Sequence, residues 1–267
     1  MRLPSVFVSH GAGPLPLLGE ASNAALAAAL RALPASLPAR PAAVLVCSAH
    51  FEAARPTLIA APPAALLYDY GGFPKEAYSI QYSPPGAPAV AERAMALLSG
   101  AGFRPALERS GRGLDHGAFV PLALMWPGAD VPVVELSVLA SLDAEEHLRM
   151  GAALGPLRDE GVLLLGSGSS FHDIPQIFRG MHAPPGAPAI GKEFDGWLVD
   201  ACTRRAGAAR AAELAGWAAA PGGAAAHPRP EHFMPLLFAA GAGGGEPGRG
   251  VAAPMGAVAM TSFVFGG

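Results

Sequence analysis

Short apolar runs rich in Val and Leu alternate along the chain with longer stretches whose apolar residues recur at helical spacing. This pattern predicts strands at 4–9, 42–48, 57–61, 104–108, 132–138, 161–166 and 256–265. It predicts helices at 22–33, 88–100, 117–126, 142–158, 188–206, 208–219 and 231–240. Two segments lack periodicity and are predicted to be loops: an ordered one at 62–87 and a flexible one at 241–250.

The order of these elements indicates the fold class. Strands that alternate with helices are typical of α/β proteins, in which helices cover the sheet. The runs at 42–48 and 161–166 are apolar at most positions, as expected for strands that are buried on both faces. We therefore predict one α/β domain over 1–267, with a central mixed, largely parallel sheet covered by helices on both faces.

Composition excludes several classes of protein. Apolar residues make up 51% of the chain and charged residues 15%, which is typical of a packed chain rather than a disordered one. The net charge of −3 comes without a basic cluster, so no face for nucleic acid is expected. No stretch approaches the roughly 20 apolar residues that span a bilayer, and the N-terminal apolar run is too short for a signal peptide, so we expect a cytoplasmic protein. Cys47 and Cys202 are expected to be reduced, buried thiols.

Histidines at the ends of strands carry most of the chemical information. His10, His50 and His172 each follow a predicted strand, and His232 lies at the start of the last predicted helix. Because the carboxyl ends of strands in an open α/β sheet meet at one crevice, these side chains are expected to lie close together. Imidazole is the commonest metal ligand among side chains, so the pattern predicts a metal site at this edge.

Each motif also has a structural interpretation, and the residues alone leave both readings open. An isolated His10 suits a structural role as readily as ligation, and Glu52 suits a solvated charge better than a carboxylate that orients an imidazole. Asp115 and His116 suit either a capping aspartate beside a surface histidine, or a histidine that transfers a proton, binds a substrate or ligates a metal. His227 suits a hydrogen bond beside the site.

The remaining polar motifs are weaker. Gly166-Ser167-Gly168 lacks the Gly-x-Ser-x-Gly spacing of a serine-hydrolase elbow, so we interpret it as a turn of small residues that lets a substrate approach His172. The helix N-terminus beside His232 disfavours its protonation, which suits a neutral ligand. His147 and His182 are expected to be solvated.

Six motifs occur together in the order of a known family. They are Ser9-His10-Gly11, Ser48-Ala49-His50-Phe51, Tyr68-Asp69-Tyr70-Gly71-Gly72-Phe73-Pro74, Gly113-Leu114-Asp115-His116-Gly117, Gly166-Ser167-Gly168 with His172, and His227-Pro228-Arg229-Pro230-Glu231-His232. With them, the chain resembles the class III extradiol ring-cleaving dioxygenases, in particular the DOPA 4,5-dioxygenase-like branch. The resemblance extends over essentially the whole chain, up to the closing strand.

The resemblance implies a role for each histidine. His10, His50 and His232 correspond to the metal ligands, and His172 corresponds to the acid–base residue over the substrate. His116 corresponds to a second catalytic histidine that contacts the substrate, and we add Asp115 and His227 to the expected substrate-binding set. The chain departs from the family pattern at Ala12-Gly13-Pro14 and at Asp173, which puts the identity of the substrate in question.

The implied reaction opens the ring of a catechol-type, DOPA-like diol with O₂ at a mononuclear non-haem metal, in a monomer or small homo-oligomer. Fe(II) suits this chemistry, and Zn(II) is an alternative for the bound ion, although zinc has no redox activity. Two other functions stay open at this stage. Three histidines with an open position also describe a zinc-dependent hydrolase, and the same fold can serve a non-catalytic binding protein.

Overall fold

Eight strands form one sheet within residues 1–61 and 65–266, which the computed structural model describes. The strands are β1 (Ser5–Ser9), β2 (Ala43–Ala53), β3 (Thr57–Ile59), β4 (Ala106–Leu107), β5 (Val133–Leu139), β6 (Val162–Gly168), β7 (Gly248–Ala252) and β8 (Thr261–Phe265). They lie in the order β4-β3-β5-β2-β6-β1-β8-β7.

The centre of the sheet is parallel and its flanks contain antiparallel pairs. β5, β2, β6 and β1 are parallel neighbours. β3 pairs antiparallel with β5, and β8 pairs antiparallel with both β1 and β7. The predicted mixed, largely parallel sheet is therefore confirmed.

Helices cover both faces of the sheet. They are α1 (Leu15–Leu18), α2 (Ala24–Ala32), α3 (Pro88–Gly100), α4 (His116–Met125), α5 (Ala144–Leu154), α6 (Ile174–Met181), α7 (Lys192–Thr203), α8 (Gly207–Ala215), α9 (Gly223–Ala226) and α10 (Met234–Ala242). Successive side chains of a strand point to opposite faces. On β2, Val44 and Val46 pack in the cluster that contains α2 and α4, whereas Leu45 and Cys47 pack with α3, α5 and α10. This two-sided burial explains the near-continuous apolar runs of the central strands.

One strand continues past its predicted end. β2 was expected to stop at residue 48 but extends to Ala53. Its pairing with β5 is regular up to Ser48 and resumes at Glu52, so the residues between form a bulge. Bulges redirect side chains, and this one contains His50.

Among these helices and strands, four were not predicted: α1, α6, α9 and β7. Helices α1 and α9 have four residues each, too few to show a helical period. Helix α6 has apolar residues at only four positions, and its Pro175 and Gly180 are helix-breaking residues that hid the pattern. Strand β7 begins inside the predicted flexible loop 241–250, where glycine-rich sequence has low strand propensity and the pairing with β8 decides the structure. The predicted loop 62–87 includes residues 62–64, which lie outside the described residues; most of the remainder is irregular, with a 3₁₀ turn at Lys75–Ser79.

Cys47 and Cys202 are free and buried, as predicted. His147, by contrast, was wrongly expected to be solvated. It is buried, its Nε2 accepts from Leu139 N at 3.0 Å, and its Nδ1 donates to Asp143 O at 2.6 Å. His182 is exposed at the end of α6, as predicted. Among the helices that the structure describes, none has the length and apolarity that crossing a membrane requires.

Candidate active site

The parallel centre of the sheet brings the histidines together. His10 directly follows β1, His50 lies in the bulge of β2, and His172 lies in the loop after β6. Because β2, β6 and β1 are adjacent and parallel, their carboxyl ends open on one crevice. His232 lies just before α10 and reaches the same place.

Two glycines let the segment before α10 approach the sheet. A Cβ at Gly166 would lie 2.0 Å from the carbonyl oxygen of Pro235, and one at Gly168 would lie 2.1 Å from that of His232. Ser169 N donates to the same His232 oxygen at 3.0 Å. Gly166-Ser167-Gly168 therefore seats the backbone of His232 against β6, and this contact corrects our interpretation of the motif as a turn for substrate approach.

Three imidazole nitrogens meet at the centre of the crevice. His50 Nε2 lies 3.3 Å from His10 Nε2 and 3.0 Å from His232 Nε2. His10 and His232 are almost fully buried. Each of the three rings uses its other nitrogen for a separate hydrogen bond.

Those hydrogen bonds fix the tautomers. Ser167 Oγ donates to Gly117 O, which can only accept, so it accepts from His10 Nδ1 at 3.1 Å. His50 Nδ1 lies 3.1 Å from Asp69 Oδ2, and His232 Nδ1 lies 2.8 Å from Glu231 Oε1. A carboxylate also only accepts, so in all three rings the proton is on Nδ1 and Nε2 carries a lone pair.

Three lone pairs facing one another at this distance repel unless a cation lies between them. Two imidazole nitrogens bound to one ion at about 2.1 Å lie about 3.0 Å apart at a right angle and about 3.4 Å apart at the tetrahedral angle. The observed separations of 3.0 and 3.3 Å fall in this range. The donor set therefore fits a divalent transition metal.

Burial keeps the imidazoles of His10 and His232 neutral. It is the largest cause that lowers the pKa of His10 and of His232 well below the ordinary value, and the neighbouring imidazoles lower both further. Burial also raises the pKa of Asp69, but hydrogen bonds from His116 and His50 outweigh it and leave that pKa well below its usual range. The cluster thus combines neutral donors with an ionised carboxylate behind them.

His116 lies beside the cluster at the first position of α4. Its Nδ1 donates to Asp69 Oδ1 at 2.9 Å, and its backbone N–H donates to the same oxygen at 3.0 Å. Its ring lies 3.8 Å from that of His50, centroid to centroid. One ligand atom from each of His10, His50 and His116 also lies within 4.8 Å of the others, so His116 is a competing candidate for a ligand.

His172 lies over the opposite side of the cluster. Its ring stacks on that of His232 with a centroid separation of 3.4 Å and an angle of 15°. Its Nδ1 lies 3.3 Å from Glu231 Oε1, the oxygen that also binds His232. Arg229 pairs with the second oxygen of Glu231 at 3.1 Å and with Glu52 across the rim.

The cluster forms the floor of a cavity of about 550 Å³. One wall is polar and contains His116, His172, Arg229 and the rim carboxylates. Much of the remaining lining is apolar, and it includes Phe73, Ile174, Ile177, Phe178, Met181 and Met255. We call the polar surface, together with the histidine cluster, the polar wall, and the apolar surface the apolar wall.

Tyr70 closes one side of the cavity with its ring rather than its hydroxyl. The hydroxyl donates to Ala77 O at 2.7 Å, and the ring lies edge-on to His116 at 5.6 Å. Burial, with Tyr68 and Asp69 nearby, raises the pKa of Tyr70 to about 12. Its ring therefore shapes the cavity, while its hydroxyl is held by Ala77 O.

With this geometry in place, comparison with known proteins identifies the family. Residues 8–262 match the family described as the catalytic LigB subunit of aromatic ring-opening dioxygenase. The chain belongs to this family. It is therefore an extradiol-type dioxygenase, an oxidoreductase, of a family whose enzymes use a metal.

Individual relatives place the chain within the family. It is 43% identical over 209 residues to the 4,5-DOPA dioxygenase extradiol of Beta vulgaris, a match that covers 77% of this chain and 74% of the relative. It is 40% identical over 255 residues to dioxygenase tasH of Hapsidospora irregularis, covering 90% and 78%. A crystal structure of an uncharacterized protein from Escherichia coli K12 superposes with a TM-score of 0.76 at 30% identity, covering 99% of this chain and 100% of that one. The resemblance drawn from the sequence motifs is confirmed.

Two predicted substrate contacts lie away from the cavity surface, and their placement corrects the prediction. Asp115 is fully buried, caps α4 through Ala118 N and accepts from Ser48 Oγ at 2.7 Å. His227 is buried with its Nε2 3.3 Å from Ser170 O, and burial lowers its pKa to about 3. Both positions support the segments that carry site residues rather than contact a substrate.

Asp69 and Glu231 are functional residues that the sequence reasoning did not single out. Each carboxylate binds two histidines, Asp69 from the long irregular segment and Glu231 from the position before His232. The available signal was their place inside two of the family motifs. Periodicity could not reveal them, because neither lies on a regular element.

The two departures from the family pattern have structural explanations. Asp173 caps α6, since its side chain accepts from Gln176 N at 2.8 Å. Gly13 has φ +54°, and a Cβ there would lie 2.8 Å from the ring of Phe73. Both departures therefore contact segments that carry the apolar wall.

Proposed function

We propose that the protein opens the ring of a catechol next to its diol, using O₂ and one Fe(II) ion bound by Nε2 of His10, His50 and His232. The observation that carries this proposal is the convergence of three unprotonated Nε2 atoms, each fixed by its own Nδ1 partner. His232 is preferred to His116 as the third ligand because its Nε2 lies 3.0 Å from that of His50.

The chemistry of the donor set supports iron. Neutral imidazoles suit both iron and zinc, but ring opening by O₂ transfers electrons from the diol, and zinc has no redox activity. When bound, Fe(II) would hold the two adjacent oxygens of the diol and allow electron transfer to O₂. The product retains both atoms of the O₂, as a ring-opened semialdehyde.

His172 is proposed as the group that moves a proton. Glu231 Oε1 holds Nδ1 of His172, so Nε2 is the nitrogen free to act in the cavity. It would take the proton of one substrate hydroxyl and return it later to an oxygen of the opening ring. A positioned acid–base group of this kind contributes about 10²–10⁴-fold in rate.

His116 is proposed as the second group that contacts the substrate. With its Nδ1 proton donated to Asp69, its Nε2 accepts a hydrogen bond from a diol hydroxyl. Burial is the largest cause that lowers the pKa of His116, with the hydrogen bond to Asp69 opposing it, so the ring stays a neutral acceptor. Asp69 thereby couples the orientation of a ligand to that of a substrate contact.

The test is anaerobic loading of the protein with Fe(II), followed by exposure to O₂ with a panel of catechols. We expect O₂ uptake equal to catechol consumed and a yellow ring-opened product. The same protein loaded with Zn(II) is the matched control and should consume no O₂. Conversion of a substrate by the zinc-loaded protein alone, without uptake of O₂, would overturn the proposal in favour of a hydrolase.

A further inference from the structure

The apolar wall carries an inference about which catechols the site selects. We propose that the preferred substrate is a catechol with an uncharged apolar substituent, which binds against α6 and Phe73 while the diol occupies the histidine cluster. This inference rests on the proposed function. It goes further, because the names of the two relatives given above state no such preference.

The first observation is the exposure of α6. Ile174, Ile177, Phe178 and Met181 occupy positions i, i+3, i+4 and i+7 of this helix, which form one face. All four line the cavity, yet 46% of Ile174 and 58% of Phe178 are exposed. Contiguous exposed apolar side chains mark binding surfaces, and here the surface is continuous with the reaction cavity.

The second observation is that α6 is held in place. A Cβ at Gly180 would lie 2.4 Å from Val258 Cγ2, so the helix backbone packs directly on the segment before β8. Ala257 N donates to Gly180 O at 2.9 Å, and Asp173 caps the other end. The apolar wall is therefore preformed, and an apolar group binding there needs no ordering of the helix.

The third observation is the state of the charges on the polar wall. Among the described residues that line the cavity, Arg229 is the cationic side chain other than histidine, and it already pairs with Glu52 and Glu231. A substrate carboxylate would be a third anion around one guanidinium. Apart from histidines, the described residues of the rim thus offer no unpaired cation to the carboxylate of an amino acid such as DOPA, the substrate in the name of the Beta vulgaris relative.

The fourth observation is size. The cavity of about 550 Å³ lies within the range of pockets that hold drug-sized ligands and exceeds what one catechol ring fills. The space beyond the ring is bounded by the apolar wall. Filling it with methylene groups removes apolar surface from water on both sides.

The test is anaerobic calorimetric titration of the metal-loaded protein, which measures binding without turnover. DOPA and 4-propylcatechol are a matched pair, because their side chains have similar length and differ in charge. We expect the Kd of 4-propylcatechol to be at least tenfold lower than that of DOPA. Along the series from 4-methylcatechol to 4-butylcatechol, the Kd should fall about fourfold per methylene. Tighter binding of DOPA or of dopamine, or no binding of any catechol, would overturn the inference.

A variant locates the effect on α6. Phe178→Ala should reduce the ratio of the catechol Kd to the 4-propylcatechol Kd about tenfold, whereas Leu18→Ala, an exposed apolar residue outside the cavity, should leave this ratio unchanged. Light scattering on both variants tests whether a second copy covers α6 instead. If Phe178→Ala changes the oligomeric mass in solution but leaves the ratio of the two Kd values unchanged, the proposal is overturned.

The inference and the proposed function fail separately. Binding in the expected order without O₂ uptake would contradict ring cleavage and support the apolar preference. O₂ uptake with DOPA preferred to 4-propylcatechol would support ring cleavage and contradict the apolar preference.

Discussion

The two walls of the cavity are built in opposite ways. On the polar wall, each imidazole is held by a named contact to a carboxylate or hydroxyl, and apart from Glu231 beside His232 those partners come from distant parts of the chain. On the apolar wall, one short helix supplies four of the six side chains, and they are positioned by packing of its backbone at Gly180.

This difference separates chemistry from selection. A hydrogen-bonded histidine tolerates little change, because orientation and tautomer decide whether it binds a metal or moves a proton. An apolar wall tolerates exchange of side chains of similar volume, with a change in affinity rather than loss of function. Substitutions on the two walls should therefore have different effects, and the largest belong to the polar wall.

Removing a proposed ligand should have the largest effect. His232→Ala deletes one of the three converging Nε2 atoms, so we expect metal content below about a tenth of an ion per chain and no measurable ring cleavage. Metal analysis after dialysis measures it. His182→Ala, which removes an exposed histidine outside the cavity, is the control and should retain the metal. A His232→Ala protein with full metal content would assign the third ligand to His116.

Removing the proposed proton carrier should separate binding from turnover. His172→Ala is expected to retain the metal and to lower kcat about 10²–10⁴-fold. Single-turnover kinetics on the metal-loaded variant measure this loss. A variant that loses the metal as well would show that His172 acts by supporting His232, on which it stacks.

Weakening the carboxylate behind two histidines should have an intermediate effect. Asp69→Asn keeps the size of the side chain but replaces one carboxylate oxygen with an NH₂ group. The amide then cannot accept a hydrogen bond from both His50 Nδ1 and His116 Nδ1, as the two carboxylate oxygens do. Metal affinity or activity is expected to fall about 10–100-fold. Asp130→Asn, at an exposed aspartate paired with Arg40, is the matched control. Equal behaviour of the two variants would contradict the role of Asp69.

Displacing the apolar wall should affect selection more than chemistry. Gly180→Ala forces α6 away from Val258, at an expected cost of about 1–3 kcal/mol in the free energy of unfolding. Urea denaturation measures this cost. Metal content should be unchanged, while the advantage of 4-propylcatechol over catechol should decrease. Loss of the metal in this variant would show that the walls are not independent.

The smallest effect on activity is expected at Glu135, which is buried and does not line the cavity. Burial, with Asp115 nearby, raises the pKa of Glu135 well above its ordinary value. In the folded protein this carboxyl keeps its proton, whereas in the unfolded chain it releases the proton as the pH rises above about 4.5. The free energy of unfolding therefore decreases as the pH rises above that value. Glu135→Gln should raise the free energy of unfolding more at pH 8 than at pH 5, as measured by urea denaturation. A gain that does not grow with pH would contradict this.

The sequence predicted the polar wall better than the apolar one, for a physical reason. Buried parallel strands are strong apolar runs, and the histidines that follow them are read directly from the chain, as His10 and His172 illustrate. His50 was found although its bulge was not, since the bulge depends on pairing with β5.

Partnership between distant residues was not predictable from patterns. Asp69 and Glu231 act through contacts that only the folded chain creates, and Asp115 was misplaced because a helix cap and a substrate contact look alike in sequence. Helix α6 was missed although its apolar residues have helical spacing, because two turns with Pro175 and Gly180 give a weak signal. The apolar wall could therefore be recognised only from the folded structure.

One crystal structure would test the division between the walls most directly. It is that of the iron-loaded protein with 4-propylcatechol bound under anaerobic conditions, with the ion located by anomalous scattering. The account predicts one ion bonded to Nε2 of His10, His50 and His232, and the propyl chain against Ile174 and Phe178. An ion held by His10, His50 and His116, or a propyl chain directed towards Arg229, would contradict it.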